Sequence, residues 1–316
     1  MRTAFIETLH TQAKQNERVT LVVGDLGFGV VTTFRDDLPN QFVNAGVAEQ
    51  NMTGLAAGMA LSGKIVFTYS IANFPVLRCL EQIRNDICYH NANVRIVPVR
   101  GGMAYGALGI SHHATEDIAI MRALPNLLVI APGDPVEARL ATEALITHEG
   151  PAYLRLGRAG EPTVYQTPPT FELGRAITAR EGNDITLIST GGCLYDTVQA
   201  AEALAQQGIQ ARVLSMHTIK PLDNEAVLTA ARETSAIFTI EEHSIIGGLG
   251  GAVAEILLEA DQRPRHFKRI GLNGTFSSVT GDQDYLRAYY GLDTAGIIKT
   301  VQTTLEASKE VDGVLP

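Results

Sequence analysis

The chain has 316 residues, 45% apolar and 19% charged, with a formal net charge of −9. That composition supplies a core for about two domains and excludes wholesale disorder, while the acidic balance excludes a broad nucleic-acid-binding face, which needs a basic patch. Cys79, Cys88 and Cys193 form neither a C-x-x-C pair nor a metal-ligand spacing, so they read as reduced thiols of a cytoplasmic protein. No basic-then-apolar leader and no run of about eighteen apolar residues occurs, so neither secretion nor a membrane span is expected.

In chain order, residues 1–18 read as a helix, with Phe5, Ile6, Leu9 and Ala13 at helical spacing. The apolar run 19–23 ends at Gly24-Asp25, as a strand does at the carboxyl edge of a parallel sheet. A short β-like run at 42–44 turns at Gly46 into a helix opened by Glu49 and built from small and apolar residues. Such a helix is expected to be buried all round. A strand at 64–68, a helix at 75–89 and a strand at 94–99 follow, then the Gly-rich loop 101–109. Helix 116–123, strand 127–131, helix 135–147 and strand 152–156 complete a parallel α/β domain over residues 1–160. Residues 161–183, with Pro162, Pro168, Pro169 and Gly182, have no sustained periodicity and read as a linker. Residues 184–316 restart the alternation as a second, smaller α/β domain.

The residue that organises this reading is Glu49. A carboxylate in the first turn of a small-residue helix is costly to sequester unless something pairs with it. The candidate partner is a ligand whose nitrogen shares the proton. Two further clusters carry chemistry. The loop 101–109 ends at Ser111-His112-His113, and paired histidines can donate hydrogen bonds or shuttle protons. Arg155 and Arg158 close the last strand of the first domain, where guanidinium forks suit phosphate or carboxylate.

Gly46, Glu49 and Met52 match a G-x-x-E-x-x-M signature, Arg78 to Arg84 an R-x-x-x-Q-I-R pattern, and Glu116 to Asn126 an E-D-x-A-x-M-R-x-x-P-N pattern. In these motifs the chain resembles transketolase-type thiamine diphosphate enzymes, over their pyrimidine-binding and C-terminal domains. The resemblance implies that Glu49 contacts a ring nitrogen of the cofactor's aminopyrimidine and activates it. It implies a stacking platform within 66–74, with Phe67 the first choice and Tyr69 the second, and a cofactor-proximal Asp25. It further implies that His112, with His113 beside it, handles substrate hydroxyl protons, and that Arg158 and Arg2 anchor an anionic group; the guanidinium of Arg100 makes the same pocket more anion-friendly by its own chemistry.

Three positions depart from that family. Leu108 stands where an Asp reads a donor hydroxyl, Arg100 where a second His is common, and Gly29 where a Ser often follows Asp25. The G-D-G…N motif that holds diphosphate and Mg²⁺ is missing, since Gly24-Asp25-Leu26 lacks the third residue. The resemblance therefore implies a separate N-terminal subunit carrying diphosphate and Mg²⁺, in a heterotetramer with sites at its interfaces, and no metal site on this chain. The expected activity is transfer of a two-carbon ketol unit between a ketose and an aldose. Rival readings are another thiamine class (a 2-oxo acid dehydrogenase beta chain or a deoxyxylulose-phosphate-synthase-like enzyme) and a non-catalytic scaffold protein. A further rival is a dinucleotide-binding module, suggested by Gly248, Gly250 and Gly251 before a helix.

Overall fold

Continuous apolar runs form the strands, and the strands assemble into two sheets. The computed structural model describes the backbone of residues 1–312 and the side-chain environments of residues 1–307. The first part runs α1 (Arg2–Ala13), β1 (Val19–Val23), α2 (Thr32–Asp37), β2 (Phe42–Asn44), α3 (Glu49–Leu61), β3 (Ile65–Ile71), α4 (Phe74–Leu77) and α5 (Leu80–Gln82). It continues with β4 (Val94–Val99), α6 (Asp117–Ala123), β5 (Leu128–Ile130), α7 (Pro135–Thr147) and β6 (Ala152–Leu154). The second part holds β7 (Ile177–Arg180), β8 (Ile185–Ser189), α8 (Leu194–Ala205), β9 (Ala211–Ser215), β10 (Thr218–Lys220), α9 (Asn224–Glu233) and β11 (Ala236–Ser244). It ends with α10 (Leu249–Glu259), β12 (His266–Leu272), α11 (Gln283–Tyr289) and α12 (Thr294–Asp312).

The first sheet has the order β10-β5-β6-β4-β3-β1-β2 and is parallel except at β10, which pairs antiparallel to β5. The second has the order β12-β11-β8-β9-β7, antiparallel only at the β7–β9 edge. Two of these edges depart from the sequence reading. The stretch 161–183 supplies β7 to the second sheet, and β10 crosses back from the second part to extend the first sheet. Both strands are too short to carry a readable period.

Helices cover both faces of the first sheet, as a parallel sheet requires. Phe5, Leu9, Phe34, Phe67, Tyr69, Ala138 and Leu145 fill the core on the α1 and α7 side. Met52, Ala56, Ala60, Val66, Val76, Ile83 and Ile118 fill the core on the α3, α4 and α6 side. The helix expected over 75–89 is broken: α4 and α5 are separate short turns, and a π-helical segment, Ile83–Cys88, follows. Leu77, within the first of these turns, is half exposed.

Helix α3 is also not buried all round. Glu49, Met52, Thr53, Ala56, Ala57 and Ala60 face the sheet, while Gln50, Asn51, Gly54, Leu55, Gly58 and Leu61 are exposed. A Cβ added at Gly54 or Gly58 would meet nothing within 4 Å. Composition alone could not separate these faces, because the residues that pack tightly inward and those that leave a flat outer face are both small.

Candidate active site

The carboxyl edge of the first sheet gathers the residues singled out by sequence, as parallel α/β sheets do with their ligand sites. Read from β6 to β2, the edge presents Arg158, then Arg100 with the loop that follows it, then Phe74, Asp25 and finally Glu49.

Glu49 opens α3 behind a turn built by Asn44. The Asn44 side chain accepts hydrogen bonds from the backbone N–H groups of Asp25 and Gly46, and its Nδ2 donates to Asp25 Oδ1 at 2.9 Å. Gly46 has φ +75°, a conformation that glycine adopts without penalty. The turn therefore fixes Asp25, Gly46 and the first residue of α3 relative to one another. Asp25 is exposed and tied to Asn44. Asn44 was not singled out by sequence; its signal is the side-chain turn that Asn favours ahead of a glycine.

Glu49 is sequestered, at 4% exposure. Its partner within the chain is Arg78, whose Nη1 lies 3.3 Å from Glu49 Oε2. The same guanidinium sits over the Phe74 ring, 4.4 Å from its centroid. Phe74 in turn meets the His112 ring edge-on, with centroids 5.2 Å apart. Glu49, Arg78, Phe74 and His112 thus form one continuous cluster. The stacking choices need correction. Phe67 and Tyr69 are fully buried on the opposite face of β3 from α3, where Phe67 packs on Phe5 and Tyr69 stacks with it. The period of two along a strand decides this, because residues 67 and 69 share one face. The available ring is Phe74, half-buried just past the strand end.

The two histidines separate. His113 is buried, and its Nε2 donates to the Gly106 carbonyl at 2.9 Å, so it braces the loop from within. His112 lies between Phe74 and Tyr105, and its Nδ1 is 3.0 Å from Ser111 Oγ. Asn73 Nδ2 donates to the Ser111 carbonyl at 2.8 Å and ties this end of the loop to the start of α4. Leu108 and Ile110 are exposed near the loop's tip.

The three arginines also differ. Arg100 has φ +61° and holds its guanidinium 4.8 Å from the Tyr105 ring centroid. Arg2 has a buried Nε with no hydrogen-bond partner among the described residues, and its guanidinium lies beside the buried Tyr69 hydroxyl. Burial pushes the Tyr69 phenol up to about 12, with Arg2 and Arg100 acting in the opposite sense. Tyr69 therefore reaches this basic group with its hydroxyl, although its ring is core. Arg158 is paired instead: its Nη2 lies 3.0 and 3.2 Å from the two carboxylate oxygens of Asp284. Sequence reasoning missed Asp284, which stands 126 positions away on α11.

The dinucleotide reading loses its seat. At the start of α10 the backbone N–H groups of Leu249 and Gly250 donate to the Glu241 carboxylate at 2.7 and 2.8 Å. A carboxylate of the chain already fills the position that a pyrophosphate would take. All three cysteines are free and buried. Among the described residues no group of three or more His, Cys, Asp or Glu side chains converges as a metal site, and no helix is long and apolar enough to cross a membrane.

Comparison with known proteins gives a consistent answer. Residues 1–161 match the family model for the transketolase pyrimidine-binding domain, and residues 174–297 match that for the transketolase C-terminal domain. The chain is 43% identical to one of the subunits of the apulose-4-phosphate transketolase of Phocaeicola vulgatus, over 95% of each protein. It is 37% identical to the SqwH subunit of a 6-deoxy-6-sulfo-D-fructose transketolase from a Clostridium species, over 97% of this chain and 94% of that one. A solved structure described as a split gene transketolase, inactive beta4 tetramer, superposes with a TM-score of 0.87 at 38% identity, covering 96% of this chain and 97% of that one. The chain belongs to the transketolase family, of which it spans the pyrimidine-binding and C-terminal domains.

Proposed function

We propose that the chain is the C-terminal subunit of a split transketolase that takes a two-carbon ketol unit from a ketose with an anionic end group and passes it to an aldose. The observation that carries this reading is the sequestered Glu49 beside Phe74 and His112 at one sheet edge. Two relatives act on a sugar phosphate and a sulfonated sugar, by their names. Both donors are anionic, which suits Arg2, with its unpartnered Nε, and the neighbouring Arg100.

The residues present fit the pyrimidine end of thiamine diphosphate. Arg78 supports this fit, since its planar N–H-bearing guanidinium lies on the Phe74 ring while donating to Glu49. When bound, thiamine diphosphate supplies the nucleophilic carbon that carries the ketol unit. Glu49 holds or releases a proton at a ring nitrogen, and Phe74 offers the stacking face. His112 handles a proton of a substrate hydroxyl. Arg100, Arg2 and Arg158 orient the anionic end. Diphosphate and Mg²⁺ fall to a partner subunit carrying the G-D-G…N motif that this sequence lacks. The open face of α3, with Val47 exposed just before it, supplies the seam of a heterotetramer in the cytoplasm.

The test is co-purification with that partner and a donor screen. Glu49→Gln should lower turnover about 10²–10⁴-fold, the range for a lost acid–base group, while the complex still forms. Near-full turnover of the variant would refute the role. The second reading, a deoxyxylulose-phosphate-synthase type, is favoured by Leu108 in place of a hydroxyl-reading Asp. It also draws on 34% identity to 1-deoxy-D-xylulose-5-phosphate synthase 1 of Geobacter sulfurreducens, over 96% of this chain and 48% of that one. Turnover of pyruvate rather than a ketose would decide for it.

A further inference from the structure

The loop 101–113 is built against the second part of the chain, not only against its own sheet. At its root, Met103 N donates to Glu242 Oε1 at 2.5 Å. Gly102, at φ +67°, lies so close that an added Cβ would stand 2.4 Å from the same oxygen. At its middle, Gly106, at φ +45°, sits where an added Cβ would stand 2.4 Å from the Gly281 carbonyl. The return strand is tied by the Gly102–Ala114 bridge and by Ser244 N donating to the Thr115 carbonyl. Residues 107–111, between these pinned points, are largely exposed.

Glu242 is itself over-determined. It is 4% exposed, and both carboxylate oxygens receive Gln283 Nε2, at 3.0 and 2.9 Å, while Oε2 also receives Arg287 Nε at 2.5 Å. Its backbone carbonyl accepts from Arg155 Nη2, which in turn holds Asp117 and the Ala114 carbonyl. Gln283 and Arg287 belong to α11, and α11 starts immediately after the Gly281–Asp282 segment that seats Gly106. One helix therefore sets the loop at two places, through Glu242 at Met103 and directly at Gly106. A buried carboxylate is costly unless fully satisfied. Here one of its strong charge-assisted bonds goes to a loop N–H.

We propose that Glu242, held by Gln283, is a positioning residue for ketol transfer: the second domain sets the loop that carries Leu108 and His112 to the substrate. This rests on the reading that His112 meets substrate. Glu49 and Phe74 stand on other elements, so the effect falls mainly on substrate, and the cofactor seat feels only what passes through the Phe74–His112 contact.

The test is Gln283→Met in the full chain, reconstituted with the diphosphate-binding partner. The kcat/KM for a ketose donor should fall about 10–100-fold, as for small misplacements of reacting groups, while the dissociation constant for thiamine diphosphate stays within about twofold. In the free chain labelled at histidine, the His112 resonance should move and those of His10 and His266 should not. Gly106→Ala, which presses the loop off Gly281 from its own side, should give the same split if Gln283→Met folds poorly. Loss of cofactor binding in step with activity, or an unmoved His112 resonance, would overturn the proposal. If the wild-type complex transfers no ketol unit, the functional reading fails, and the resonance measurement still decides whether α11 sets the loop.

Discussion

Arg78 occupies the place that the functional reading gives to the aminopyrimidine, and that has a measurable consequence. Its ion pair with Glu49 spans 3.3 Å, worth about 5 kcal/mol at an effective dielectric of about 20 but about 1 kcal/mol in bulk water. Arg78 is 55% exposed, so solvent screening brings the pair down to about 0.5–1 kcal/mol. The contact with Phe74 adds about 0.5–1 kcal/mol. A ligand that takes the seat must forgo about 1.5 kcal/mol of self-contact, which is about tenfold in affinity. Arg78→Met removes that competitor. Calorimetric titration of thiamine diphosphate with Mg²⁺ into the reconstituted complex should show the variant binding about tenfold more tightly, since a state that competes with binding is lost. The free chain should melt slightly earlier, because Glu49 is left sequestered and unpaired. Weaker cofactor binding by the variant would refute the reasoning and make Arg78 a direct contact of the bound ring.

Four other substitutions test the core and the site. Phe67→Leu should cost about 1–2 kcal/mol of stability by thermal melting and leave cofactor affinity alone, whereas Phe74→Ala should lose about 0.5–1.5 kcal/mol of cofactor binding; the reverse pattern would restore Phe67 as the platform. Asp284→Asn frees Arg158, so KM for a phosphorylated donor should fall about two- to fivefold, the scale of an exposed pair, with no change for an uncharged donor. An unchanged KM for both would place Arg158 outside the site. Burial, opposed by hydrogen bonds from the Tyr165 hydroxyl and the Gly133 backbone, pushes Glu137 up from 4.5 to about 7. The folded state then binds this proton more tightly than the unfolded chain. Its contribution is complete below about pH 4.5 and is lost as the pH rises through about 7, up to about 3 kcal/mol in all. Glu137→Gln should therefore gain melting temperature relative to wild type between pH 5 and pH 8, measured by calorimetry. An equal difference at both pH values would contradict it.

The sequence disclosed the parts of this fold that depend on local pattern. Strands 185–189 and 211–215 fall where the apolar runs place them, and the carboxyl edge carries Asp25, Glu49, Arg100 and Arg158 as strand–loop alternation requires. What it hid depends on facing and on long-range pairing. Phe67, Tyr69 and Phe74 are equally aromatic and lie within one short stretch, and only the parity of β3 tells core from platform. His112 and His113 are adjacent, yet one is enclosed by the loop and the other stands beside Phe74. The partners of Glu49, Arg158 and Met103 lie 29, 126 and 139 positions away, beyond any local signal.

The order of strands also explains how one edge can serve two molecules. From the end of β2, where Glu49 follows, to the end of β4, where Arg100 follows, the sheet crosses β1 and β3. Three inter-strand steps of about 4.8 Å make about 14 Å. A short ketose cannot place its reacting carbon at one end of that span while its anionic group pairs at the other. On the proposed function, the acid and the guanidinium groups therefore act on different ligands, a cofactor ring toward β2 and the charged tail of a sugar toward β4 and β6. Phe74 and His112 stand between them, at β3 and on the loop after β4, where the two ligands would meet. This division accounts for a chain of net charge −9 that still keeps Arg2, Arg100 and Arg158 along one margin of its sheet. On that reading these cations serve the tail, while the sequestered carboxylate of Glu49 pairs with Arg78 instead.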